Sequence, residues 1–257
     1  MSSEPTSLIL PPPQEGLLLS DGEVHFLWWF IQGSIMNPET RQRLHRAWGL
    51  CSRHAAGLLM VEAAYRHGWL HACAILYLDL VERAVAALAA GGPLAGERIR
   101  GRLRARGPCL MCELQLEQAG GGAASADLLA RGRDPSQLRH FAASCRPFWT
   151  QQICPRCQAG APGPLCRPHF VAAQRTPPWL VGSVDDLVRQ ERSALGAIAR
   201  HLIAYARSFR WEHRGTDGPE DRAALLAAVG WCSGWDGLLA ALGAETIPPA
   251  GGPTSGG

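Results

Sequence analysis

LCSRHAAGLLMVEAAY, residues 50–65, sets a cysteine and a histidine three residues apart and continues as an apolar stretch with helical spacing. The same opening returns in LCRPHFVAA at 165–173. Each stretch predicts a helix that starts at its cysteine, Cys51 or Cys166. Backbone N–H groups and the positive end of the helix dipole favour thiolate over thiol there, and thiolate is the form that binds a metal. Residues i and i+3 lie on one side of a helical turn, so Cys51 with His54 and Cys166 with His169 can each offer two ligands to one ion.

Two further pairs share the spacing, Cys109 with Cys112 and Cys154 with Cys157. Four pairs make eight soft ligands, and tetrahedral zinc takes four, which predicts two closed zinc sites. Pro155, Pro162, Gly163 and Pro164 bend the second knuckle back on itself. Because closure cost grows with the logarithm of loop length, pairs near in sequence should share an ion. That argument predicts one site from Cys154, Cys157, Cys166 and His169, and a second from Cys51, His54, Cys109 and Cys112.

The background is all-α, a multi-helix domain carrying zinc-knuckle-like CxxC and CxxH loops. Asn37, Pro38 and Glu39 give a cap, a first-turn proline and an early acid for a helix through RQRLHRAW. Others are expected from Cys51, from Leu70 to Ala90, over SVDDLVRQERSALGAIARHLIAYARSF with Ser183 as cap, and from Pro219 to Leu242. The expected divisions are an N-terminal segment at 1–20, a helical half at 21–107, a Cys/His module at 108–175, a helical pair at 176–244 and a tail at 245–257. Gly-rich 119–125 reads as a linker and the Gly/Pro/Ser-rich end as disordered.

Composition narrows the chemistry. All 25 basic residues among the 257 are arginine, so neither a Walker A lysine nor a pyridoxal Schiff base is possible. No HExxH, GxSxG or CxxCH occurs. MSSEPTSLILPPPQEG lacks the pattern of a signal peptide, which points to a cytoplasmic protein whose nine cysteines are ligands, redox groups or buried thiols. Cys73 and Cys232 fall in apolar helical patterns and read as packing residues. Asp79, Glu82, Arg83 and Asp236 interrupt the most apolar stretches, so no membrane span is expected.

The repeated LCxxH, CLMCELQLEQ and YARSFRWEHRG resemble an uncharacterised bacterial family, a domain of unknown function. Its members have two similar halves, each with a CxxC and a later LCxxH. The resemblance covers most of 24–240 and implies an all-α, metal-binding protein with no established activity. It matches Cys109 and Cys112 with Cys166 and His169 in the second half, and only Cys51 and His54 in the first. Cys154 and Cys157 stand as an addition, so this implied grouping competes with the local one.

IRGRLRAR at 99–106 is basic, but on a helix its arginines divide into two opposite stripes. With a net charge of +3 this reads as a solvated segment making at most weak, nonspecific nucleic-acid contact. His67 and His71 at i and i+4 lack a third ligand and read as ordinary helix residues. The tryptophans, Trp28, Trp29, Trp231 and Trp235 among them, are expected in the core or around a pocket. The functional expectation is a non-enzymatic zinc protein that presents a surface to a protein partner. The alternative is a redox protein, a CxxC oxidoreductase at 154–157 or an iron–sulfur sensor.

Overall fold

The computed structural model describes residues 17–91, 94–118, 122, 124–174 and 184–243, and all regular structure among them is helical. The local signals explain most of the starts. Helix α1 (Asp21–Ile31) carries a reciprocal box, with Glu23 N donating to Ser20 Oγ and Ser20 N to Glu23 Oε2. Helix α2 (Pro38–Ala47) is capped by Asn37 Oδ1, which accepts from the N–H groups of Glu39 and Thr40. It stops at Trp48, whose left-handed backbone turns the chain into α3 (Ser52–Tyr65).

Helix α3 lies at the centre. Every residue from His54 to Ala63 is buried, so it is apolar all round rather than on one stripe. Helix α4 (His71–Leu88) has no side-chain cap of its own. Buried Glu62 of α3 supplies one from a distance, accepting from Ala72 N at 2.7 Å and Cys73 N at 2.8 Å. After α5 (Ala95–Leu103), α6 (Leu110–Glu113), α7 (Ala126–Arg133), α8 (Ser136–Ser144), α9 (Arg146–Trp149) and α10 (Arg167–Ala173) come the long α11 (Val184–Arg207) and the pair α12 (Pro219–Ser233) and α13 (Asp236–Leu242). Helix α11 packs on α4 and α12 through Glu191, Leu195, Ile198, Leu202 and Tyr205 at three- and four-residue steps, and exposes Arg189, Arg192 and Arg200.

Three expectations change. The final helix expected from Pro219 to Leu242 is broken, because Gly234 takes a φ of 93° and starts a second helix. The Trp235 ring then lies against Gly230, where an added Cβ would enter the indole. Second, the arginine run is helical only to Leu103. Ile99 and Leu103 bury one face, Arg104 turns extended, and Arg106 N donates to Arg46 O at 2.7 Å. Third, His67 sits in a turn at a φ of 52° while His71 begins α4, so the two do not share a helical face. Cys73 and Cys232 are fully buried, as are Trp231 and Trp235, whereas Trp29 is exposed. The Ser183 cap, the tail and most of the Gly-rich segment lie outside the described residues.

No helix among the described residues is long and apolar enough to cross a membrane. One hydrophobic cluster instead runs from Leu19 to Ala241. A tight seam lies where α13 meets the start of α3: Gly237 N donates to Ser52 Oγ at 2.6 Å, and a Cβ at Gly237 would overlap the Ser52 carbonyl. Gly237→Ala should therefore cost about 1–3 kcal/mol, the usual scale of overpacking against backbone that cannot yield. Urea unfolding should show a lower midpoint at unchanged slope; an unaltered midpoint would refute this contact.

Candidate metal centres

Cys51 and Cys166 both occupy the N-cap position, in extended backbone, of helices α3 and α10, and neither uses its side chain to cap the helix. Their sulfurs are therefore available as ligands at the helix start. One turn later His54 and His169 point back to the same place, with Nδ1 at 3.1 Å from its own cysteine in each case. The two CxxC turns complete the sets.

At the first centre Cys109 precedes the short α6 and Cys112 lies within it. Their sulfurs are each 3.4 Å from His54 Nδ1, and Cys112 Sγ is 3.8 Å from Cys51 Sγ. At the second centre Cys154 and Cys157 lie 3.4 and 3.5 Å from His169 Nδ1, and Cys157 Sγ is 3.7 Å from Cys166 Sγ. Within each set of four, all ligand atoms fall within 4.8 Å of one another. Tetrahedral bonds of about 2.3 Å to sulfur and about 2.0 Å to nitrogen imply edges of roughly 3.5–3.8 Å. Either set can hold one metal ion, and neither forms a disulfide.

The structure thus brings Cys109 and Cys112 to Cys51 and His54, and Cys154 and Cys157 to Cys166 and His169. The set implied by the family resemblance, Cys109 and Cys112 with Cys166 and His169, is not assembled. The second knuckle closes through N–H donation from Cys157 and Gln158 to Cys154 O and from Gly163 to Ile153 O, each at 3.0 Å. Gly163 has to be glycine, since a Cβ would strike the Gln152–Ile153 backbone.

The surrounding charges differ between the centres. Fully buried Glu23 accepts from His54 Nε2 at 2.8 Å, from Arg53 through two nitrogens at 2.8 and 2.9 Å, and from Ser20 N at 2.6 Å. Burial would raise its carboxyl, but these donors, His54 first, bring it down to about 2. The bond to Glu23 also fixes the imidazole: Nε2 carries the proton and Nδ1 is left to coordinate. Glu117 stands 3.9 Å from the same Nε2. Glu23, His54 and Glu117 do not add a third ion site, because the Glu23 carboxylate is already taken by four donors. At the second centre His169 Nε2 has no hydrogen-bond partner among the described residues.

The second centre is held from behind instead. Buried Glu191 accepts from Leu165 N at 2.7 Å and from Trp231 Nε1 at 2.9 Å, fixing the residue before Cys166; desolvation lifts its carboxyl to about 7. The residue after Cys166, Arg167, donates to Cys232 O at 2.8 Å and Leu103 O at 3.1 Å. Thiols so close together ionise unequally. Hydrogen bonds from the Cys51 thiol and His54 outweigh burial and bring Cys109 down to about 3, and the resulting thiolate raises Cys51. Likewise Cys154 is lowered by Cys157 and Cys166, while Cys157 is pushed up to about 11. Metal binding must expel the remaining thiol protons, so affinity weakens as pH falls.

Sequence reasoning missed Glu23, Glu191 and Cys145. Glu23 reads locally only as the acid of a capping box, Glu191 carries no local motif, and Cys145 is a buried thiol whose Sγ faces Phe141 O at 3.4 Å. Comparison with family models, with curated proteins and with solved structures finds no match for the chain. Its chemistry therefore rests on geometry.

Glu23→Gln should lower metal affinity at the first centre about 10- to 100-fold and leave the second unchanged. Competition of each zinc-loaded protein against a chromophoric chelator measures both. Equal weakening at the two centres, or none at either, would contradict the role given to Glu23.

Proposed function

We propose that the protein is a non-enzymatic zinc-binding helical scaffold whose two centres clamp distant parts of the chain and hold a surface for a protein partner. One observation carries this reading: three sulfurs and one imidazole nitrogen converge twice with edges suited to a single tetrahedral ion. Borderline-soft zinc, which has no redox chemistry, suits such a set, and four protein ligands leave no open position for a substrate. A sulfide-bridged cluster spreads its ligands over more than one iron, which does not suit four donors within one tetrahedron. A working dithiol at Cys154 and Cys157 would have to leave both sulfurs available, whereas here they share a site with Cys166 and His169.

Clamping is the physical task. The first ion joins the start of α3 to a turn 55 residues further on, and the second closes the knuckle onto α10. Structural zinc of this kind contributes on the order of 10 kcal/mol to folding. Exposed Arg46, Arg102, Arg104 and Arg106 lie around the strap that leads into Cys109, with no carboxylate partner among the described residues. That face suits an acidic protein surface. Contact with nucleic acid there is weak and blind to sequence, because separated guanidinium groups meet phosphates rather than base edges.

Protein purified without added metal should be colourless and hold close to two zinc ions per chain by elemental analysis. Cys166→Ala should lower this to one and depress the melting temperature by several degrees. Unchanged zinc content and melting temperature in the variant, or iron as the main metal, would reject the reading. Single-stranded DNA oligomers of unrelated sequence should bind equally weakly and dissociate with added salt; tight, salt-resistant binding of one sequence would contradict the account of the arginine strap.

A further inference from the structure

Outside the metal centres, five segments surround a cavity of about 400 Å³, within the range of small-molecule sites. They are the turn at 67–69, helix α8, the end of α11, the loop at 214–217 and the start of α12, which brings Arg222. The floor is aromatic: Phe141 packs on Tyr205 at 6.0 Å, Tyr205 meets Phe209 edge-on at 5.1 Å, and Phe209 meets Trp69 edge-on at 5.6 Å. Tyr205 and Phe141 are buried, but Trp69 at the lip is 46% exposed. Two consecutive left-handed residues, His67 and Gly68, present it there. A large aromatic held open beside a cavity differs from one absorbed in the core, and only a few chain positions here leave one so exposed.

The polar groups around this floor include two guanidinium groups and one carboxylate. The Arg214 guanidinium lies over the Trp69 ring at 5.1 Å and has no hydrogen bond or carboxylate partner among the described residues. His67, Gln137 and His140 also line the cavity without protein partners. The one carboxylate in the wall, Asp217, already accepts from Arg222 Nε at 2.7 Å. Counting Arg214, Arg222 and Asp217, the wall carries a surplus positive charge of one guanidinium.

From this combination we propose that the cavity is a binding site for a small planar aromatic monoanion, a carboxylate attached to one or two fused rings. The ring lies against the exposed part of Trp69 and Phe209, beside the Arg214 guanidinium that covers the Trp69 ring. The carboxylate meets Arg214, whose planar fork suits it, with the partnerless imidazole and amide groups completing its hydrogen bonds. The site is independent of the metal centres: none of its lining residues is a ligand or touches one through a hydrogen bond described above.

Indole-3-acetate is the probe, with its neutral amide as the control, and ligand-observed NMR and calorimetry on the metal-loaded full chain are the readouts. The wild type should bind the acid, and bind the amide about tenfold more weakly. Arg214→Ala and Trp69→Ala should each weaken the acid about tenfold, with circular dichroism and zinc content unchanged because both side chains are exposed. Arg214→Ala should also erase the preference for acid over amide. No binding of indole-3-acetate, or binding that survives both substitutions, would overturn the site; so would equal affinity for acid and amide in the wild type.

Discussion

Helices α3 and α10 each begin with a cysteine one turn ahead of a histidine, where an oxygen-bearing side chain is the usual cap, and the architecture depends on that choice. An N-cap serine or aspartate would satisfy helix N–H groups with its own side chain. Cys51 and Cys166 are not tied up as caps, and the neighbouring Cys109 and Cys154 thiolates push both thiols up, so an ion must displace their protons. A histidine one turn on adds a second donor in fixed geometry. Three thiols and an imidazole packed this closely, with no ion between them, would force like charges together or bury unpaired polar groups. The geometry becomes favourable when a cation takes the place of those protons.

The residues that follow each cysteine carry the constraint outward. Ser52 receives the N–H of Gly237, and Arg167 reaches the carbonyls of Cys232 and Leu103, so both helix starts are tied to the C-terminal pair. Buried carboxylates do comparable work at other junctions. Glu23 orients the imidazole of the first centre, Glu62 caps α4 from α3, and Glu191 fixes the approach to Cys166. Each sits in the core because at least two donors meet it. Losing one partner would strand a charge rather than merely remove a contact.

Much of this was legible from the chain alone, for physical reasons. Asn37–Pro38–Glu39 states a helix start in three residues, and the i, i+3 ligand pairs state half of each centre, because both signals act within one helical turn. Loop-closure cost also selected the ligand grouping the structure assembles, in preference to the one implied by resemblance. What escaped was non-local. Glu23 lies 31 residues from His54 on another helix, and nothing in its own neighbourhood distinguishes it from an ordinary capping-box acid. The break at Gly234 was hidden because one glycine in an apolar helical pattern is tolerated as often as it ends the helix. The aromatic cavity is built from five separate segments and has no linear signature.

The central claim is that each set of three cysteines and one histidine closes around a single zinc ion. X-ray absorption at the zinc edge of the purified protein measures that shell directly. Two zinc ions per chain, with an average of three sulfur neighbours at about 2.3 Å and one nitrogen at about 2.0 Å, is the predicted result. A shell rich in oxygen, an average of four sulfurs, or an iron edge with metal–metal scattering in place of zinc would contradict it.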